Sequence, residues 1–227
     1  LGGYILWRSP ERKVFIDSRG YHYLYSTDFA GDYRKIMRNN YGWKAAEKKW
    51  NFDYALIEYD RRAGKWDYPL FLNENPEWAL VYWDDHSAVY LKRIEKNRRV
   101  IDELEYKITK PSFNDFSFLH AYIHSGTSKD ALEQIEREIG INPSNQETRL
   151  AKVFLLYSTG KENYDEALRE LEKTLALRPD LAMEHSAAAY IMYENGEIDS
   201  AKEEVKKAIS IDPHDPGAKQ LRKMPGM

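Results

Sequence analysis

Gly160-Lys-Glu-Asn-Tyr-Asp-Glu-Ala-Leu-Arg-Glu-Leu-Glu-Lys-Thr-Leu-Ala-Leu-Arg-Pro179 is the stretch from which the rest of the chain can be read. From Ala167 the apolar positions Leu168, Leu171 and Leu175 recur at helical spacing, a glycine stands before the helix and a proline closes it. The same pieces occur on either side: Gly126, Ala131 and Pro143 upstream, Gly196, Ala201 and Pro213 downstream. Each alanine lies 12 residues before its proline, and the prolines are 36 and 34 residues apart. The Gly-to-Ala distances are 5, 7 and 5, so the two extra residues of the middle copy fall in its turn, around Lys161-Glu-Asn163. A turn can lengthen without moving the packing face of either helix.

Each copy has a readable logic. The glycines end a first helix, where a left-handed residue is often required. The second helices carry the stripes Ala131, Ile135, Ile139, then Ala167, Leu168, Leu171, Leu175, then Ala201, Val205, Ala208, Ile209. The small alanine lets two helices approach closely, and proline cannot continue a helix. On these residues, with Tyr164 and Ile198 in the turns and Ala208 late in the last second helix, the chain resembles a tetratricopeptide repeat array over about residues 112–215. The units run 112–145, 146–181 and 182–215, and residues 216–227 read as a partial cap helix. Two features depart from the pattern: Glu138 and Thr174 replace a late small residue, and the early aromatic of the first helix is missing from units two and three.

The resemblance implies an all-α solenoid of three helix-turn-helix units, a non-enzymatic module that binds a protein or peptide on the face lined by its first helices. It places the groove at Phe113, Phe116, His120 and His124 in unit one, at Leu150, Phe154 and Tyr157 in unit two, and at Met183, Tyr190 and Tyr193 in unit three. Those side chains are aromatic and nearly uncharged. An extended peptide or amphipathic helix with apolar anchors fits them better than an acidic carboxyl terminus. The competing expectation is that residues 1–108 fold into the groove and cover it, because exposed apolar patches are uncommon on monomers.

The chain has 227 residues, and its composition shifts along its length. All six Trp and 11 of the 17 Tyr precede residue 97; residues 1–96 carry a net charge of +2 and residues 97–227 a net of −5. Two domains are expected. The overall charge of −3 argues against a nucleic-acid partner. Zero Cys excludes disulfides and thiol chemistry. The longest uncharged apolar run, Ala187–Tyr193, is far short of a bilayer span. Leu1-Gly-Gly-Tyr4 has no basic start leading into an apolar run, so no signal peptide is expected, and the missing initiator Met suggests a fragment or processed chain.

Residues 1–94 read as a small α/β domain. Lys13–Asp17, Phe52–Glu58, Trp78–Trp83 and Ser87–Lys92 are β-rich runs; Asp28–Asn39, Trp43–Trp50 and a short Tyr68–Asn73 read as helices. The order predicts a small mixed sheet with crossover helices. Val100, Ile101, Leu104 and Ile108 predict an amphipathic linker helix within 95–111. Gly2-Gly-Tyr-Ile-Leu-Trp7, Val14-Phe-Ile-Asp-Ser-Arg19, Phe52-Asp-Tyr54 and Val81-Tyr-Trp-Asp-Asp85 resemble the soluble extracytoplasmic tail of bacterial multi-pass glycosyltransferase-like membrane proteins. That resemblance implies the alternative function, an accessory domain assisting acceptor or glycan binding, tethered through an upstream membrane segment. It also implies an extracytoplasmic location; without it, a cytoplasmic one.

No catalytic or cofactor motif is present: no phosphate loop, no Gly-x-Ser-x-Gly and no His-Glu-x-x-His. His120 and His124 share a helical face at metal-ligand spacing, but no acidic third ligand falls within a turn, and two polar groups lining a groove is the stronger reading. Asp84-Asp-His86 reads as ordinary turn chemistry. Asp17, Arg19, Tyr21 and Tyr23 form a possible second site at a strand end, against the simpler reading of a structural ion pair. Trp50, Trp78 and Tyr82 are expected in the core and Trp66 in an exposed loop. The basic run Lys92–Arg99 reads as a solvated helix start.

Overall fold

The computed structural model describes residues 5, 7–11, 13–15, 29–58, 69–84, 86–112 and 115–227. They divide into two compact units, Leu1–Tyr106 and Lys107–Met227.

In the first unit, α1 (Phe29–Arg38) and α2 (Asn40–Trp50) precede β1 (Tyr54–Glu58), β2 (Trp78–Trp83), β3 (Ser87–Lys92) and α3 (Arg98–Leu104). Asn39 caps α2 by accepting from the Gly42 amide at 2.7 Å, and Asn51 ends it in the left-handed region at φ 51°. The sheet order is β1-β3-β2 and both pairings are antiparallel. This corrects the expected mixed sheet. Its parallel character required a strand at Lys13–Asp17, and residues 13–15 are not in a strand; 16 and 17 lie outside the described residues. The short helix comes slightly later than expected, as a 3-10 segment at Leu70–Glu74.

β2 carries an irregularity between Leu80 and Tyr82, so the register advances by one and Val81 is the extra residue. Val81 is buried and Tyr82 turns outward, 37% exposed, which overturns the core expectation for Tyr82. Its hydroxyl instead donates to Asp84 at 2.7 Å. Burial, that hydrogen bond and the Asp84 charge push the phenol up to about 12. The linker helix is also shorter than the apolar pattern suggested. It ends at Leu104, and Ile101 and Leu104 pack against Ala79 and Val81 of β2. Ile108 belongs to the next unit, where it packs among Leu119, Ala131 and Ile135. Trp78 is buried as expected and meets Trp43 edge-on at 5.2 Å.

The second unit is helical throughout its regular elements: α4 (His120–Ser125), α5 (Ser128–Ile141), α6 (Gln146–Thr159), α7 (Tyr164–Leu177), α8 (Ala182–Glu194), α9 (Ile198–Ile211) and α10 (Pro216–Leu221). α4 packs on α5, α6 on α7, and α8 on α9, each pair joined by a short turn. The alanines that open the second helices are all fully buried: Ala131, Ala167 and Ala201. The extra residues of the middle pair form a 3-10 turn at Lys161–Asn163. Gly126 and Gly196 take left-handed backbone (φ 74° and 85°), but Gly160 sits at φ 139°, ψ 161°. The wider turn needs a bend that glycine alone adopts readily.

Candidate aromatic interaction face

Of the residues expected in the groove, His120 and His124 sit on α4, Leu150, Phe154 and Tyr157 on α6, and Met183, Tyr190 and Tyr193 on α8. Phe113 lies outside the described residues. Phe116 precedes α4, and its ring lies 5.7 Å from that of Phe154 on α6. His120 lies 5.7 Å from the same Phe154 ring and stacks on His124 at 5.9 Å. The His124 Nδ1 is held 2.6 Å from the His120 carbonyl. On α6, Tyr157 follows Phe154 by three residues and therefore shares its face. It stacks on Tyr164 at 5.3 Å and meets Tyr190 of α8 edge-on at 5.8 Å. The aromatic contacts thus join α4 to α6 at Phe154 and α6 to α8 at Tyr157.

Burial sorts the expected residues. His120 and His124 are exposed, and Phe116, Phe154, Tyr157, Tyr190 and Tyr193 are half-buried. Met183 is 39% exposed. Leu150 is corrected: it is 5% exposed and packs in the core with Val153, Leu171 and Ala188. Although Leu150 lies one turn before Phe154, α6 is buried on more than one face, so a shared stripe does not guarantee shared exposure. Tyr193 is partly engaged within its own unit, because its hydroxyl donates to the Pro225 carbonyl at 3.2 Å. Burial and hydrogen bonds with Tyr190 and Tyr164 push the Tyr157 phenol up, so it is a neutral donor and acceptor.

Behind this face the helices are tied by charge. Lys152 on α6 is 7% exposed, with Nζ 3.0 Å from Glu136 on α5 and 3.2 Å from Glu166 on α7. Arg149 pairs with Glu170, which also holds Lys173 at 3.1 Å. Burial opposes the charge on Glu170, but Lys173, Arg149 and Lys152 outweigh it and hold the carboxyl below the usual range. Glu138 is fully buried and accepts three main-chain amides, from Lys107, Ile108 and Thr109, at 2.7–2.9 Å. Burial pushes its carboxyl up, against those donors. Sequence reasoning saw Glu138 only as a departure from a pattern; the signal was a charged residue standing on an apolar stripe.

The other expected sites fare differently. Asp17, Arg19, Tyr21, Tyr23 and Trp66 lie outside the described residues. Asp84 accepts from the His86 and Ser87 amides, both at 2.8 Å, as a turn residue does. Among the described residues, no group of three His, Asp or Glu side chains is placed to hold a metal ion, and no helix is long and apolar enough to cross a membrane.

A search of the curated proteins gives no match. Among solved structures, the first tetratricopeptide-repeat domain of human RPAP3 is 15% identical with a TM-score of 0.40, over 46% of this chain and 81% of that one. The Yersinia enterocolitica type III secretion chaperone SycD, solved with a peptide of the translocator YopD, is 17% identical with a TM-score of 0.39, over 47% and 80%. YrrB, described as a tetratricopeptide-repeat protein with an unusual peptide-binding site, is 22% identical with a TM-score of 0.42, over 57% and 62%. The resemblance of residues 2–92 to a glycosyltransferase-linked tail rests on sequence alone, and its Gly2-Gly-Tyr4 and Ile16–Arg19 pieces lie outside the described residues. Residues 160–224 match the tetratricopeptide repeat family and span α7 to α10 of the second unit.

Proposed function

We propose that the chain is a non-enzymatic interaction module whose second unit, three tetratricopeptide units at 112–145, 146–181 and 182–215, binds a protein or peptide. The observation that carries this reading is the aromatic path along the first helices: Phe154 meets Phe116 and His120, Tyr157 three residues on meets Tyr190, and none of the five is fully buried. Aromatic side chains that retain accessible area are the usual anchors of binding hot spots. The path carries no lysine or arginine, so the ligand that suits it is an extended or helical peptide with apolar and aromatic anchors.

The test is a selection of linear peptides from a displayed random library against the full chain. Enriched peptides should carry spaced apolar or aromatic residues. Their affinity, measured by calorimetry, should fall by about tenfold or more in His120→Ala and Phe154→Ala. Failure to enrich any peptide, or affinities untouched by both variants, would overturn the reading.

A further inference from the structure

His185 lies on α8, 7% exposed, with both ring nitrogens facing acceptors. Nδ1 is 2.6 Å from a Glu204 carboxylate oxygen on α9, and Nε2 is 3.2 Å from the main-chain carbonyl of Pro179. A neutral imidazole has one N–H and one lone pair, so it can satisfy one of these oxygens while setting a lone pair against the other. Only the imidazolium donates to both.

The preceding unit shows what this position requires. Arg149 stands six residues after Pro143, as His185 stands six after Pro179. The Arg149 guanidinium donates to the Pro143 carbonyl, from Nε at 3.0 Å and Nη2 at 2.9 Å, while Nη1 pairs with Glu170. Glu170 lies nine residues before Pro179, and Glu204 nine before Pro213. The same clasp is therefore built twice: a cation near the start of the first helix, the carbonyl of the preceding closing proline, and a glutamate on the second helix. One copy uses a permanent charge and the other a titratable one.

We propose that His185 makes the third unit's clasp proton-dependent: charged, it ties α8 to Pro179 and α9, and on losing its proton it releases that tie, while the Arg149 clasp of the second unit holds at every physiological pH.

The surrounding groups leave the imidazole as the member that changes. On α9, Glu204 also holds Lys207 at 2.6 Å. Burial opposes its charge, but Lys207 and His185 outweigh that and keep its carboxyl below the usual range, so it stays a carboxylate. At α10, Asp215 is engaged by the Ser186 hydroxyl and the Ala218 amide. Arg178, beside Pro179, pairs with Asp180 at 2.7 Å, and on α7 Lys173 is held by Glu170. The charged ring donates to both oxygens and the neutral ring to one, so the clasp is complete only while the imidazole carries both protons.

The experiment compares thermal unfolding of the full chain, followed by helical circular dichroism, at about pH 5.5 and about pH 8. The wild-type midpoint should fall between the two by about 3 °C or more relative to His185→Arg, whose clasp keeps its charge. His185→Gln, which is neutral at both values and has a single donor nitrogen in place of two, should remove the dependence with the midpoint low at both. Should His185→Arg not fold, nitrogen-15 spectra of the wild-type imidazole decide: both nitrogens should carry protons at the lower pH, and their deprotonation should coincide with shifts of the α8 amides. Parallel midpoints in wild type and His185→Arg, or a singly protonated ring at the lower pH, would overturn the proposal.

Discussion

Asn145, Leu181 and Asp215 stand two residues after the three closing prolines, and the chain fills this one capping position in three ways. Asn145 accepts from the Thr148 amide at 3.1 Å and Asp215 from the Ala218 amide at 2.7 Å. Leu181 has the extended backbone of a cap (φ −106°, ψ 99°) but no side-chain oxygen to offer. Replacing Leu181 with Asn should raise stability by about 1 kcal/mol in denaturant unfolding. A fall instead would mean that the half-buried leucine contributes more by packing than a cap returns. Gly160 works the other way. At φ 139°, ψ 161° it occupies backbone space that is essentially reserved for glycine, so Gly160→Ala should lower stability by about 1–3 kcal/mol in the same assay.

Between elements, buried carboxylates do the joining. Glu138 collects three amides of the 107–109 segment onto α5, and Glu170 collects Arg149, Lys152 and Lys173 between α6 and α7. Glu138→Ala orphans three donors at once and should cost about 3 kcal/mol or more, with amide exchange quickened first at residues 107–109. For Glu170 the sign with pH is fixed by its lowered carboxyl. Its stabilisation is complete above about 4.5, the ordinary value, and is lost as pH falls through the lower folded-state value. Glu170→Gln should therefore flatten the acid side of the stability profile while lowering stability at neutral pH, and equal acid slopes in both proteins would contradict this.

Over the whole molecule, two units of different chemistry share one chain. The tryptophans build the first: Trp43, Trp78 and Trp83 are all buried there. The second is built mainly from alanine, leucine and isoleucine, with Tyr164 buried among them and Phe154, Tyr157 and Tyr190 half-buried on the first helices. If that face is the binding surface, Tyr157→Ala combined with Tyr190→Ala should weaken capture of a selected peptide by about 2 kcal/mol or more while the helical signal is retained. Loss of the helical signal would show instead that the Tyr157–Tyr164–Tyr190 contacts serve the fold.

The repeat was legible because it is local: an alanine 12 residues before a proline, with a glycine five to seven residues ahead of it, marks each helix pair, and Ala131, Ala167 and Ala201 are buried accordingly. The face carrying Phe154, Tyr157 and Tyr190 is what the resemblance to the tetratricopeptide repeat implies, not something helical period alone supplies. What the tertiary structure decided were matters of partnership. Leu150 shares a stripe with Phe154, yet neighbouring helices bury it. Tyr82 is expected in the core as a large aromatic, but at the irregularity after Leu80 it turns out. The antiparallel β1-β3-β2 order depends on which strand β3 pairs with, a long-range choice that no local pattern encodes. His185 and Arg149 show the same division: their common offset from a proline is written in the sequence, but the two oxygens each must satisfy are brought together only when α8 packs on α9 and α6 on α7.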